Sequence, residues 1–241
     1  MKVEDRIRGC LYGIAVADAL GACWEGWRPK DIESKFGRVT EMESMGAWGL
    51  GEFTDDTFLT LATCRAYNEM NGQKVFSPEY AGEAMIAWMQ NLGKGIGVLT
   101  SRALANISSG RTDVYGSGHK ASASSVNRGA GNGSLMRCSA TGLVRGLDEI
   151  DTIIEESTIL SEITHSDSRC VAACVGYNII LSGILEDENL YTLLGLAAEK
   201  TASINQETSD MFDTHKKGMG TSYNIHEMVS IGYVLRALDC A

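Results

Sequence analysis

Cys170-Val171-Ala172-Ala173-Cys174-Val175-Gly176-Tyr177-Asn178-Ile179-Ile180-Leu181-Ser182-Gly183-Ile184-Leu185 is the longest uncharged, apolar-rich run in the chain. It falls short of the ~20 residues that a membrane-spanning helix needs, and Asn178 and Ser182 interrupt it. Such a run suits a helix buried in a protein core, and no transmembrane segment is expected. Around it, apolar residues recur at spacings of three and four, which predicts helices over residues 79–92, 98–108, 136–146, 149–163, 168–185, 188–202 and 225–239. An earlier one, from Glu4 to Leu20, places Ile7, Leu11 and Ile14 on one face, carries Asp18 near its end and stops at Gly21. The chain has only two prolines, and no stretch alternates apolar and polar residues as a strand would. The expected fold is all-α. A length of 241 residues with 44% apolar content is enough for one sizeable core, so the whole chain, 1–241, is read as a single domain.

Twenty-one basic and 31 acidic residues give a formal charge of −10, and no basic cluster offsets it locally. A nucleic-acid backbone would be repelled. An anionic small molecule would need backbone amides, a few arginines or a divalent cation to be held. The seven cysteines form no C-x-x-C pair, and the charged start Met1-Lys2-Val3-Glu4-Asp5-Arg6 does not read as a secretory signal. A reduced, cytoplasmic protein is expected. Cys170 and Cys174 stand one helical turn apart without partners for a zinc site and read as buried small hydrophobes.

Residues 22–53 read as irregular. They lead into Thr54-Asp55-Asp56-Thr57, two adjacent carboxylates and two hydroxyls at a helix start. These are hard oxygen donors of the kind that Mg2+ or Ca2+ takes, and they are equally a well-capped helix, with threonine as N-cap and acids in the first turn. Ser109 to Ser134 is a long glycine- and serine-rich segment with Arg111, His119, Lys120 and Arg128, of a length that is either functional or mobile. It ends in Arg128-Gly129-Ala130-Gly131-Asn132-Gly133-Ser134-Leu135-Met136-Arg137, whose small residues let backbone amides approach a phosphate before a helix, although ordinary connections look the same. Thr164-His165-Ser166-Asp167 precedes the core helix and reads by itself as a capping cluster with one histidine. Asn205 to Tyr223 reads as a polar surface connection.

Gly13 to Gly21, Thr54 to Thr57, Gly131 to Arg137 and Thr164 to Asp167 together resemble, in order and approximate spacing, the ADP-ribosylglycohydrolase family, which includes the hydrolase acting on ADP-ribosylated dinitrogenase reductase. The resemblance spans nearly the whole chain. It implies a compact multi-helix array, and a Mg2+ centre, with Mn2+ as a substitute, held on one side by Thr54, Asp55 and Asp56. It implies that Gly131, Asn132, Gly133, Ser134, Met136 and Arg137 bind the pyrophosphate and ribose, with His165 close to the ribose. Glu25, in the Trp24-Glu25-Gly26 loop, falls where similar proteins carry a mobile acid near the metals. With Asp55 and Asp56 it makes the catalytic set, the base being Glu25 or a water held by the metal. The implied partner is ADP-ribose or an ADP-ribosylated protein, and the implied reaction cleaves the anomeric bond through a cation-like transition state.

Two departures stand out. Similar proteins carry a second acidic motif, glycine-glycine-aspartate-x-aspartate-threonine, after a helix resembling Tyr223 to Asp239, and the sequence stops at Ala241 without it. The chain is therefore expected to be C-terminally incomplete, with part of the metal cage absent. Similar proteins also often place an aspartate near Gly95. Three readings follow: a hydrolase whose remaining ligands lie elsewhere, a catalytically weak ADP-ribose-binding module, and an interaction protein in which Thr54 to Thr57 only caps a helix.

Overall fold

The structure, a computed structural model, describes residues 2–70, 73–123, 129–218 and 232–240. The core run lies in helix α9 (Ser168–Leu185), and nearly every residue from Cys170 to Ile179 is buried. It is apolar all round because other helices surround it: α7 (Ala140–Val144), α8 (Ile150–Glu162), α10 (Leu190–Thr201), α11 (Gln206–Lys216) and α12 (Val234–Cys240). Its glycines set the spacing. A Cβ on Gly176 would lie 2.3 Å from the Phe212 ring of α11, and one on Gly183 would lie 2.1 Å from Leu193 of α10, so only glycine permits these approaches. The two polar residues in the run are cross-links. Asn178 accepts from the Gly142 amide at 3.0 Å and donates to Ser157 at 2.9 Å, tying α9 to α7 and α8, while Ser182 donates to the Arg145 carbonyl at 2.7 Å. By length and hydropathy alone α9 and α1 (Val3–Gly21) could each cross a membrane. Satisfied polar groups and surrounding helices make α9 a core helix.

The other half of the fold comprises α1, α2 (Pro29–Phe36), α3 (Asp55–Cys64), α4 (Pro78–Asn91), α5 (Val98–Ser108) and α6 (Ser117–Ala123). Leu59, Met85, Trp88 and Leu104 of these helices form a second core with Leu160 and Ile163. The 3-10 turn Leu135–Arg137 joins the two cores, Leu135 packing into the α9 cluster and Met136 against the α3–α4 cluster. The acidic pair of α3 and the glycine loop, both candidate site residues, flank this seam.

The all-α expectation holds apart from one small hairpin. β1 (Tyr67–Met70) and β2 (Gln73–Phe76) pair antiparallel, with Tyr67 opposite Phe76. Four-residue strands are too short to show an alternation, and this pair is held from outside. The Tyr67 hydroxyl bonds Thr141 at 2.7 Å and donates to the buried Glu156 at 3.1 Å, which Arg145 grips with two nitrogens. Three stretches read as irregular contain helices. α2 opens on Pro29 and ends at Gly37, whose φ is 69°; α6 lies within the long glycine- and serine-rich segment; and α11 replaces the expected surface connection, its first turn capped by Asn205. The helix expected over 136–146 is instead the 3-10 turn followed by α7. Residues 225–231 of the last expected helix, and Arg128, lie outside the described residues.

Candidate active site

Asp18, on the last turn of α1, receives four hydrogen bonds from the start of α3: the Thr54 and Thr57 amides at 2.8 and 3.0 Å and their hydroxyls at 2.7 and 2.6 Å. The helix cap therefore comes from another helix, and Thr54 makes no side-chain cap of its own. The capping explanation of Thr54 to Thr57 is corrected on this point. With the cap supplied by Asp18, the carboxylates of Asp55 and Asp56 are not used for it.

Those two carboxylates are left in an unfavourable setting. Asp55 is buried, and burial, followed by repulsion from Glu25 and Asp18, raises its pKa to about 6. Asp56 rises to about 7 through burial and then repulsion from Asp18, Asp55 and Glu25. Neither has a basic partner within ion-pair distance among the described residues. Glu25 is exposed on the loop after the 3-10 turn Ala22–Trp24, and an aromatic trio anchors that loop, Trp24 and Trp27 packing on Phe36 with ring centroids 4.8 and 5.9 Å away. Gly95 borders the same place. With φ at +85°, a Cβ there would sit 3.1 Å from an Asp55 oxygen and 3.4 Å from the Trp48 ring.

Uncompensated hard-oxygen donors fit a divalent cation by their chemistry. The set is partial: among the described residues no three His, Cys, Asp or Glu side chains are arranged to hold one ion, and both Asp18 oxygens are committed to α3.

The second half of the site is the glycine loop. It is fastened to the start of α12 by two backbone bonds, Asn132 N–H to the Gly232 carbonyl and Val234 N–H to the Ala130 carbonyl, both 3.0 Å. They flank a bridge between Gly131 and Tyr233. His165 lies directly against the loop. A Cβ on Gly133 would fall 2.8 Å from its Cε1 and 3.1 Å from Nε2, and one on Gly131 would fall 3.4 Å from Nε2. Burial, then the nearby Arg137 charge, lowers the His165 pKa to about 3, so the ring is neutral at physiological pH. The loop is joined rigidly to the acidic pair. Thr60, one turn beyond Asp56, reaches the Met136 carbonyl at 3.5 Å, and Thr63 accepts from Arg137 at 3.2 Å.

Three residues expected to contact a ligand have side chains that face the interior. Arg137 is 1% exposed and its two terminal nitrogens donate to Thr63, the Leu160 carbonyl and Thr164, while Nε is buried without a partner among the described residues, so the side chain points into the protein. The Ser134 hydroxyl is likewise buried, receiving hydrogen bonds from Ser161 at 3.0 Å and Cys174 at 3.6 Å. The Met136 side chain packs into the core. The loop's backbone and the half-buried Asn132 are what it retains for contact with a ligand. Asp18 and Thr164 were not picked out from the sequence as site residues. The apolar face of α1 held a hint of the first in an acid where a core residue belongs, and the second stood in the Thr164 to Asp167 cluster without a role of its own.

A model of the ADP-ribosylglycohydrolase family matches residues 1–241. The chain belongs to the ADP-ribosylglycohydrolase family. Among its relatives, the uncharacterised protein YegU of Escherichia coli is 29% identical over 200 residues, covering 78% of this chain and 56% of that protein. The ADP-ribosylarginine hydrolase Tri1 of Pseudomonas putida is 30% identical over 199 residues, 77% of this chain and 49% of that one. The ADP-ribosyl-[dinitrogen reductase] glycohydrolase of Rhodospirillum rubrum is 25% identical, covering 95% of this chain and 73% of its own. The chain thus spans about half the length of two of these three. A solved chain titled ADP-ribosylglycohydrolase-related protein complex superposes with a TM-score of 0.71 at 24% identity, over 99% of this chain and 74% of that one. This establishes the family's fold.

Proposed function

We propose that this chain hydrolyses ADP-ribosyl conjugates of protein side chains, with Asp55 and Asp56 as ligands of Mg2+, for which Mn2+ can substitute. The observation that carries the reading is the pairing of two unneutralised carboxylates with a glycine loop, across a seam that α3 and the Leu135–Arg137 turn hold rigid. The names of the Pseudomonas putida and Rhodospirillum rubrum relatives support it. A divalent cation bound there would supply orientation of ribose hydroxyls and activation of water.

The chain's own groups define the rest. Gly131 and Gly133 let the His165 imidazole, a neutral group, approach the backbone against which the pyrophosphate and ribose would lie. Asp18 holds the start of α3 so that Asp55 and Asp56 project from its first turn. Glu25, close enough to raise the pKa of both, is the proposed acceptor of the proton from the attacking water. A cation on the acidic pair also reconciles an anionic ligand with a chain of charge −10. All seven cysteines are free thiols, which supports a reducing, cytoplasmic setting.

The test is calorimetric titration with ADP-ribose, with and without Mg2+, on the chain and on Asp55→Ala and Asp56→Ala, followed by release of ADP-ribose from a modified protein. Binding strengthened by Mg2+ and weakened in both variants, together with turnover, is expected. Metal-independent binding without turnover would convert the reading to a binding module, and absence of binding would leave only the fold.

A further inference from the structure

Among the described residues Arg137 is the largest fully buried side chain; it carries a charge, yet no carboxylate of theirs lies within ion-pair distance of it. Its Nη2 donates to the Thr164 hydroxyl at 2.9 Å and to the Leu160 carbonyl at 3.0 Å, and Nη1 donates to Thr63 at 3.2 Å. A guanidinium can only donate, so the Thr164 oxygen must accept from it. That oxygen lies 2.8 Å from Nδ1 of His165, and Thr164 is fully buried. Its single hydrogen has no other acceptor among the described residues. A proton on Nδ1 would leave the threonine accepting twice, with its own O–H buried and unpaired, which is the costly arrangement for a buried polar group. The hydroxyl therefore donates to Nδ1, and the imidazole proton resides on Nε2.

The Nε2 edge of the ring faces the loop: Nε2 lies 3.4 Å from a Cβ position on Gly131 and 3.1 Å from one on Gly133, with the adjoining Cε1 2.8 Å from the latter. It has no hydrogen-bond partner among the described residues, although the side chain is 97% buried by its 3% exposure. We infer that Arg137 and Thr164 form a positioning relay that fixes His165 as an Nε2–H donor aimed at the ligand side of the glycine loop. Arg137 thereby acts on the ligand through two intermediaries without touching it. The relay sets the polarity of the contact: the ligand atom opposite Nε2 is an acceptor, such as a ribose or phosphate oxygen. The inference deepens the proposed function and rests on it for the identity of the ligand, but not for the tautomer.

The experiment is a long-range 15N–1H spectrum of the ligand-free, uniformly labelled chain, with the His165 ring assigned by loss of its signals in His165→Gln. The unmodified chain and Thr164→Ser are expected to show the Nε2–H pattern. Thr164→Val, which keeps the branched shape and removes the hydroxyl, is expected to lose it in favour of a mixture with Nδ1–H. ADP-ribose affinity should fall about tenfold in Thr164→Val, as for the loss of one aligned hydrogen bond, and return in Thr164→Ser. An Nδ1–H pattern in the unmodified chain, or an unchanged Nε2–H pattern in Thr164→Val, would overturn the relay. An Nε2–H pattern that responds to Thr164→Val in a chain that binds no ADP-ribose would sustain the relay and strike only the ligand reading.

Discussion

Replacing Asp18 with asparagine changes one atom and tests how the site is assembled. Asp18 Oδ2 takes the Thr54 and Thr57 amides and the Thr57 hydroxyl, and Oδ1 takes the Thr54 hydroxyl. An asparagine can keep its carbonyl oxygen at the Oδ2 position, and its NH2 then meets the Thr54 hydroxyl, which can turn to accept. What disappears is the charge. Hydrogen bonds to a charged group contribute about 1.5–3 kcal/mol against roughly 0.5–1.5 kcal/mol for neutral pairs, so two amide bonds lose about 2–3 kcal/mol between them. A lost anion at the start of α3 costs about 0.3–1 kcal/mol more. Relief of the repulsion that raises the Asp55 and Asp56 pKa values opposes this, leaving a net loss of about 2 kcal/mol, an estimate in the range of measured cap deletions. Urea unfolding followed by far-ultraviolet circular dichroism at pH 8, where both acids are ionised, reads the loss directly. A change below about 0.5 kcal/mol, the size of an ordinary surface substitution, would show that Asp18 does not hold α3 by its charge.

The pH dependence of stability has a definite sign. Asp55 and Asp56 have folded pKa values of about 6 and 7, above the unfolded value of about 3.9, so the folded state holds their protons more tightly. Their contribution is most favourable below pH 4 and is lost as pH rises to 7; the stability difference between the chain and Asp56→Asn, measured across pH 4 to 8, should therefore shift progressively in favour of the variant, and a flat difference would refute it. Gly133→Ala places a Cβ 2.8 Å from the buried His165 ring, so ADP-ribose affinity should fall at least tenfold, whereas Gly129→Ala, whose Cβ meets an Asp167 oxygen at 3.4 Å, should bind within about twofold. His215 Nε2 donates to the buried Asp239 Oδ1 at 2.7 Å, and His215→Ala should lower the urea midpoint by an amount equivalent to about 1–3 kcal/mol, with hydrogen exchange in α12 rising first.

Much of the helical framework was legible because it rests on local periodicity. α9 announced itself by a continuous apolar run, and α4, α5, α8 and α10 by spacing. What escaped was set by distant partners. The Tyr67–Phe76 hairpin is fixed by Thr141 and Glu156, far along the chain, and α11 is polar enough to resemble a connection because only Thr208, Ser209 and Phe212 of it are buried. The same division holds at the site. The acidic pair, the glycine loop and His165 could be found as motifs, but a motif does not say which way a side chain points. Arg137 looked like a ligand residue because it closes the glycine motif that carries the resemblance, and only the positions of Thr63, Leu160 and Thr164 reveal that it faces in. Asp18 needed the fold as well, since its four donors lie 36 and 39 residues away.

The pair of backbone bonds between the glycine loop and the start of α12 gives the loop a mechanical neighbour. Neither segment can peel away without exposing the other's amides, so the two open as one unit. A molecule that stiffens Gly131 to Gly133 would slow the release of Tyr233 and Val234, and by reciprocity, anything that grips α12 would tighten the loop around what it holds.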